Sequence, residues 1–114
     1  MKALSEVNLK ENDRRAILQA ANILRAQFPV EKVILFGSKA RGDDDAESDI
    51  DLLVLTSLEL PWQERDRLID SVFDLQLEHD VVISLFVAPL GEWEHGLHRF
   101  LPIHDEISRE GIAA

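Results

Sequence analysis

Apolar residues recur at helical spacing in four parts of the chain. Over residues 10–28 they line one side of a helix, and Pro29 follows as a stop. Pro61 suits the first turn of a second helix, predicted over residues 61–78. The apolar face of that helix is predicted from Trp62, Leu68, Ile69, Val72, Phe73, Leu75 and Leu77. Two shorter helices are predicted towards the C-terminus, on either side of Pro102.

Three short apolar runs rich in β-branched residues are typical of buried strands. They cover residues 32–36 (KVILF), 49–56 (DIDLLVLT) and 80–88 (DVVISLFVA). Between the first two strands we expect one short helical turn and a polar loop. The order of helix, strand, turn, strand, helix, strand and helix predicts a single α/β domain over residues 1–114.

The chain is strongly acidic, because 22 Asp and Glu residues against 12 Lys and Arg residues give a net charge of −10. Such a field repels a phosphate backbone, so we do not expect this chain to bind nucleic acid directly. It has no cysteine, which excludes disulfides and thiolate metal sites. The polar N-terminus lacks the apolar segment of a signal peptide, and no apolar run is long enough for a membrane span. We therefore expect a cytoplasmic protein without membrane contact.

Two aspartates occupy the beginning of the second predicted strand. Because strand side chains alternate, Asp49 and Asp51 share one face and lie about 7 Å apart along the strand. Apolar residues follow on both faces, namely Leu53 and Leu55 on the first and Ile50, Leu52 and Val54 on the second. Two like charges beside a core repel, and a divalent cation removes that conflict. The pattern therefore predicts a metal site at Asp49 and Asp51.

Ten residues separate a glycine and a serine from these aspartates, in the pattern GS-x10-DxD. Gly37 lets the backbone turn tightly and approach a phosphate, and Ser38 offers a hydroxyl and a backbone N–H to phosphate oxygens. Asp49 and Asp51 are hard oxygen ligands suited to Mg²⁺ that is shared with a triphosphate. Lys39 and Arg41 are candidates to neutralise triphosphate charge, and the alternative is that they pair with neighbouring acids.

The stretch FGSKARGDDDAESDIDLLV, residues 36–54, resembles the signature of the nucleotidyltransferase superfamily related to DNA polymerase beta. More narrowly, it resembles the minimal nucleotidyltransferase (MNT) proteins of prokaryotes. Glu92-Trp93 and the terminal ISREGI segment are similar to the tail of many such proteins. The resemblance implies a polymerase beta-like palm fold, a small mixed β-sheet with flanking helices. It also implies a two-metal site for Mg²⁺ and ATP or another nucleoside triphosphate as the donor of the transferred group.

Members of this family commonly pair with a helical HEPN protein, several as toxin–antitoxin modules. The resemblance therefore implies an antitoxin that transfers AMP from ATP to a hydroxyl on a HEPN partner. A dimer or a hetero-oligomer is compatible with this interpretation. The competing hypothesis is a non-catalytic subunit that neutralises its partner by complex formation alone.

The third carboxylate of the family's site lies on a later strand, beside the strand that carries Asp49 and Asp51. Asp80 is the only acid in the third predicted strand, and it is the candidate for a third metal ligand or for the base that takes the hydroxyl proton. An alternative register places Ser84 at this position. In that register a ligand or base is missing, and catalysis would be weaker.

Overall fold

The computed structural model describes residues 1–43 and 48–114. A mixed β-sheet lies at the centre of these residues. Its strands follow the order β1-β5-β2-β3-β4. The central strand β2 runs antiparallel to both β3 and β5, whereas β4 is parallel to β3. The strands span Lys2–Ala3 (β1), Val30–Phe36 (β2), Ile50–Thr56 (β3), Ile83–Pro89 (β4) and Ile112–Ala113 (β5).

Helices connect these strands and cover the sheet. They span Glu11–Gln27 (α1), Ser38–Arg41 (α2), Trp62–Asp70 (α3), Phe73–His79 (α4), Leu90–His95 (α5) and Pro102–Glu110 (α6). Two short 3-10 helices lie at Leu4–Glu6 and Leu97–Phe100. Among the described residues, no helix is both long and apolar enough to cross a membrane.

The core lies on both faces of β3, as the alternation of its side chains predicts. Ile50, Leu52 and Val54 pack in a cluster with the apolar side of α1. Leu53 and Leu55 belong to a second cluster on the other face, together with Trp93 and Ile107. Each of the five β3 side chains is at most 1% exposed, and such burial stabilises the fold by about 1.5–3 kcal/mol per large side chain. This strong burial fixes the register of β3 and therefore the position of its N-terminal aspartates.

The helix predicted over residues 61–78 is two helices in the structure, α3 and α4. Ser71 and Val72 separate them, and Val72 has φ −99° and ψ 4°, outside the regular helical range. The predicted apolar face also divides. Leu68, Val72 and Leu75 are buried, whereas Trp62, Ile69, Phe73 and Leu77 are exposed.

The prediction that Asp80 begins the third strand is wrong. Asp80 caps the C-terminus of α4 in the left-handed conformation, with φ 55° and ψ 50°, a conformation that Asp tolerates better than most residues. The Val81 N–H donates to the Gln76 carbonyl oxygen, which continues this cap. Strand β4 consequently begins only at Ile83. The two-residue strands β1 and β5 were not predicted, because they are too short to carry a periodic pattern.

Candidate active site

Gly37 and Asp51 meet where β2 ends and β3 begins. Phe36 pairs with Asp51 across the antiparallel strands, so that Gly37 follows directly beside this carboxylate. A Cβ atom at Gly37 would lie 2.3 Å from Oδ2 of Asp51, and the residue has φ +78°. Only glycine both adopts this positive φ without strain and leaves room for the Asp51 carboxylate. The turn of the predicted GS motif is therefore built against the first carboxylate on β3.

The Asp51 carboxyl group lies in an unfavourable environment for a negative charge. Partial burial and then the charge of Asp49 raise the pKa of Asp51, and Glu106 raises it further, while Arg41 lowers it. This like-charge conflict is what a divalent cation would relieve. Two carboxylates beside a glycine turn fit an Mg²⁺ site by their donor chemistry.

Ser84 occupies the position on β4 beside the two aspartates. It pairs with Asp51 in the parallel register of β3 and β4. Its hydroxyl donates a hydrogen bond to Oδ2 of Asp49, with an Oγ–Oδ2 distance of 3.4 Å. The β4 residue that lies next to Asp49 and Asp51 thus carries a hydroxyl group and not a third carboxylate.

The structure does not bring Asp80 together with Asp49 and Asp51. Asp80 is exposed at the end of α4, three residues before β4 begins. Within residues 1–43 and 48–114, no group of three acidic or histidine side chains could hold a metal ion. The expectation of a third carboxylate at Asp80 is corrected by this placement. Of the two registers that the sequence left open, the structure shows the one with Ser84.

Lys39 lies inside the protein and not on a surface open to phosphate. Its Nζ is 2.9 Å from Oδ2 of Asp13, and the two side chains are 3% and 9% exposed. The pair joins α2 to the first turn of α1. Of the two alternatives for Lys39, a triphosphate contact or pairing with an acid, the structure shows the pairing, with an acid of α1.

Arg41 lies at the end of α2 and contacts three carboxylates. Its guanidinium donates to Asp43 at 3.2 Å, to Glu106 at 2.9 Å and to Glu110 at 3.4 Å. The hydrogen bonds that Arg41 donates to Asp43 and then to Glu110 raise the pKa of Arg41, so the group stays charged. The alternative that Arg41 pairs with acids is the arrangement present here. Two of these acids come from α6 and not from the neighbouring loop.

Comparison with known proteins places this geometry in a family. The family model of polymerase beta, nucleotidyltransferase, matches residues 19–92, which include the glycine turn, both aspartates and Ser84. The chain belongs to this nucleotidyltransferase family.

Three proteins of Methanocaldococcus jannaschii, each named as a candidate protein adenylyltransferase, are similar in sequence to this nucleotidyltransferase. They are 38%, 42% and 39% identical to it over 78, 55 and 54 residues. The matched segments cover 67%, 48% and 47% of this chain. They cover 73%, 56% and 48% of the three relatives, so the match spans about half the length of two of them.

Two solved structures share the fold of this nucleotidyltransferase. A toxin–antitoxin with AMP-PNP superposes with a TM-score of 0.60 at 20% identity, covering 91% of this chain and 72% of that one. A variant of the toxin–antitoxin MntA–HpeT superposes with a TM-score of 0.55 at 22% identity, covering 94% and 72%. At such identities the likeness shows a common fold.

Sequence reasoning missed the acids that hold the two basic residues of α2. The burial of Asp13 could have been predicted, because it lies one helical turn before Ile17 on the apolar side of α1. Glu106 and Glu110 are four residues apart and therefore share one face of α6, but nothing local indicates that Arg41 reaches them. The acidic loop residues Asp44, Asp45 and Glu47, predicted to be solvated, lie outside the described residues.

Proposed function

We propose that the chain transfers a nucleoside monophosphate, AMP from ATP, to a hydroxyl group in a Mg²⁺-dependent reaction. The observation that supports this proposal is the contact of Gly37 with Asp51. In this contact a glycine turn, a feature that can bind phosphate, lies directly beside the Asp51 carboxylate, and Asp49 precedes Asp51 by two residues. In the reaction the hydroxyl oxygen bonds to the α-phosphorus, the bond from this phosphorus to its bridging oxygen breaks, and pyrophosphate and the hydroxyl proton leave.

Four residues have proposed roles in this reaction. Asp49 and Asp51 would hold Mg²⁺, which when bound neutralises phosphate charge and assists both the attacking and the leaving oxygen. The hydroxyl of Ser38 makes no hydrogen bond to any described residue, so it is available to a phosphate oxygen. Arg41 would exchange one of its exposed carboxylate partners for a phosphate, because guanidinium binds both groups in the same bidentate manner.

The acceptor we propose is a hydroxyl on a partner protein. The names of the three archaeal relatives specify protein adenylylation, and both structural neighbours are toxin–antitoxin assemblies. By this analogy the chain acts in the cytoplasm as the antitoxin of a helical, HEPN-type toxin.

One observation favours a second candidate function, a non-catalytic antitoxin. Ser84 pairs with Asp51 where a third carboxylate would lie in the family's site. A site with two carboxylates would bind nucleotide and metal more weakly than one with three. In this case the chain would neutralise its partner through the complex alone.

The test is transfer of label from α-labelled ATP to a co-purified partner, followed by intact-mass measurement of both chains. The enzyme hypothesis predicts that the partner gains one or more AMP units only when Mg²⁺ is present. Asp51→Asn should abolish the gain. Glu31→Gln, a change of an exposed acid on β2, should leave it unchanged.

Two outcomes separate the candidates. A stable complex without any mass gain, with each of the four nucleoside triphosphates, would support the non-catalytic antitoxin. Equal labelling by wild type and Asp51→Asn would refute the proposed site.

A further inference from the structure

Helices α3 and α4 have a second apolar side that the core does not use. Its four residues are large and exposed: Trp62 by 69%, Ile69 by 46%, Phe73 by 58% and Leu77 by 70%. The side chains that anchor the same helices to the sheet are different ones, Leu68, Val72 and Leu75, which are at most 5% exposed. Removing large apolar side chains from water is favourable in proportion to the area that is covered. A partner that covers these exposed residues would therefore form a more stable complex.

Two of the four exposed residues lie on α3, Trp62 and Ile69, and two lie on α4, Phe73 and Leu77; together we call them the apolar line. With about 100° of rotation per residue, positions 62 and 69 lie within about 20° of each other on α3, and positions 73 and 77 lie within about 40° of each other on α4. On each helix the buried residue, Leu68 or Leu75, points at least about 100° away from the exposed pair.

An acidic row runs beside this apolar line. Asp66, Asp70, Asp74 and Glu78 recur every four residues, and all four are exposed. The bases nearby are engaged elsewhere, since Arg65 donates to the Val87 carbonyl oxygen and Arg67 pairs with Glu64. In the part of the chain that the structure describes, no base forms an ion pair with the acidic row. We call the apolar line and the acidic row together the α3–α4 surface.

The charge of this surface decides what can cover it. A second copy would bring two acidic rows together on chains of net charge −10 each, which costs free energy. Nucleic acid and anionic lipid surfaces are repelled for the same reason. An amphipathic helix with an apolar stripe and flanking Lys or Arg residues matches both the apolar line and the acidic row.

We propose that the α3–α4 surface binds a basic amphipathic helix of a different protein. The apolar line would supply most of the affinity, and the acidic row would select basic partners and accelerate their association. This inference goes beyond the proposed transfer reaction and does not depend on it, because no residue of the candidate active site lies on the surface.

The chain contains its own reporter for the test. It has two tryptophans, of which Trp93 is 6% exposed and Trp62 is 69% exposed, so a blue shift of emission on binding reports Trp62. The probe is a synthetic helix of about 18 residues with leucines on one side and lysines beside them. We expect a saturable blue shift that weakens as the salt concentration rises. A scrambled peptide of the same composition, and one with glutamate in place of lysine, should bind at least tenfold more weakly.

Matched variants locate the contact. The double change Phe73→Ser and Leu77→Ser should weaken peptide binding at least tenfold without a loss of folding, since both side chains are exposed. The control is Leu97→Ser with Phe100→Ser, which removes exposed apolar residues of another segment and should leave binding unchanged. Unchanged binding after Phe73→Ser and Leu77→Ser, or equal binding of the glutamate peptide, would overturn the proposal. Self-association of the chain that these two changes abolish would also overturn it, in favour of a second copy.

Label transfer is measured separately with the Asp51→Asn variant. Loss of transfer with retained peptide binding would show that the α3–α4 surface binds the peptide independently of the transfer reaction. Loss of peptide binding with retained transfer would contradict only the surface.

Discussion

The contact between Gly37 and Asp51 is the most restrictive feature of the site at the scale of single residues. Gly37→Ala would place a methyl group 2.3 Å from Oδ2 of Asp51 in a backbone with φ +78°. We expect the free energy of unfolding to fall by about 1–3 kcal/mol and binding of Mg-ATP to weaken, as measured by urea unfolding and by titration calorimetry.

Gly91→Ala provides the matched control for this change. A Cβ atom at Gly91 would meet nothing within 4 Å. The residue lies in α5, where alanine is favoured over glycine by up to about 1 kcal/mol. A loss of stability at Gly91 equal to that at Gly37 would contradict the claim that the turn itself requires glycine.

Asp51 is predicted to destabilise the metal-free protein. Its pKa is raised by burial and by Asp49, so the folded state disfavours the ionised form at neutral pH. Asp51→Asn should therefore raise the melting temperature in EDTA at pH 7, by up to a few degrees. The gain should shrink as the pH falls through the raised pKa, because wild-type Asp51 then becomes neutral as well. A lower melting temperature for Asp51→Asn in EDTA would refute this interpretation.

Ser84 marks the place where one carboxylate would complete the site. Ser84→Asp adds an acid opposite Asp51 and within hydrogen-bonding reach of Asp49. We expect Mn²⁺ to bind about tenfold more tightly, as measured by electron paramagnetic resonance, and the metal-free protein to be less stable. Ser84→Ala should change metal affinity little. Metal binding by Ser84→Asp no tighter than by Ser84→Ala would show that this position does not face the metal.

At the scale of elements, the buried Lys39–Asp13 pair links the glycine turn to α1. Lys39→Met would leave Asp13 buried without its partner, which costs about 3–5 kcal/mol. Lys32→Met, at an exposed pair with Glu94 whose N–O distance is 3.9 Å, should cost less than about 1 kcal/mol. Urea unfolding measures both. Adding Asp13→Leu to Lys39→Met should restore part of the stability, whereas a simple sum of the two losses would contradict the pairing.

The main helices and strands were predictable because each carries a periodic apolar pattern over many residues. Helix α1 and the two faces of β3 are confirmed by the structure. The break at Ser71 was not predictable, since Val72 is apolar and continues the helical pattern without a glycine or proline. The start of β4 depends on the left-handed turn at Asp80, which the apolar run that follows conceals.

The candidate site was predictable only where its residues are close in sequence. Gly37, Ser38, Asp49 and Asp51 belong to one segment and carry the family resemblance. The choice between Asp80 and Ser84 required the parallel register of β3 and β4, which no local pattern contains. The same reason applies to Lys39 and Arg41, whose acidic partners Asp13 and Glu106 lie 26 and 65 residues away in the chain.

At the scale of the whole molecule, an acidic nucleotidyltransferase carries its proposed chemistry and its proposed docking surface on different elements. The net charge of −10 disfavours nucleic acid as a direct ligand. The same charge favours a basic protein partner, which the α3–α4 surface fits. Neither the sequence pattern nor the fold determines the nucleobase of the donor nucleotide or the acceptor, because one fold supports many substrates. Cytoplasmic location and the extent of the domain stay predictions from the sequence.

The central claim is that Gly37, Ser38, Asp49 and Asp51 together form a binding site for a metal-bound nucleotide. Titration calorimetry of ATP with and without Mg²⁺, on wild type and on the Asp49→Asn and Asp51→Asn double variant, tests it most directly. We predict saturable binding by wild type with Mg²⁺ that weakens at least tenfold in EDTA and in the double variant. Equal ATP affinity in all of these conditions would contradict the claim.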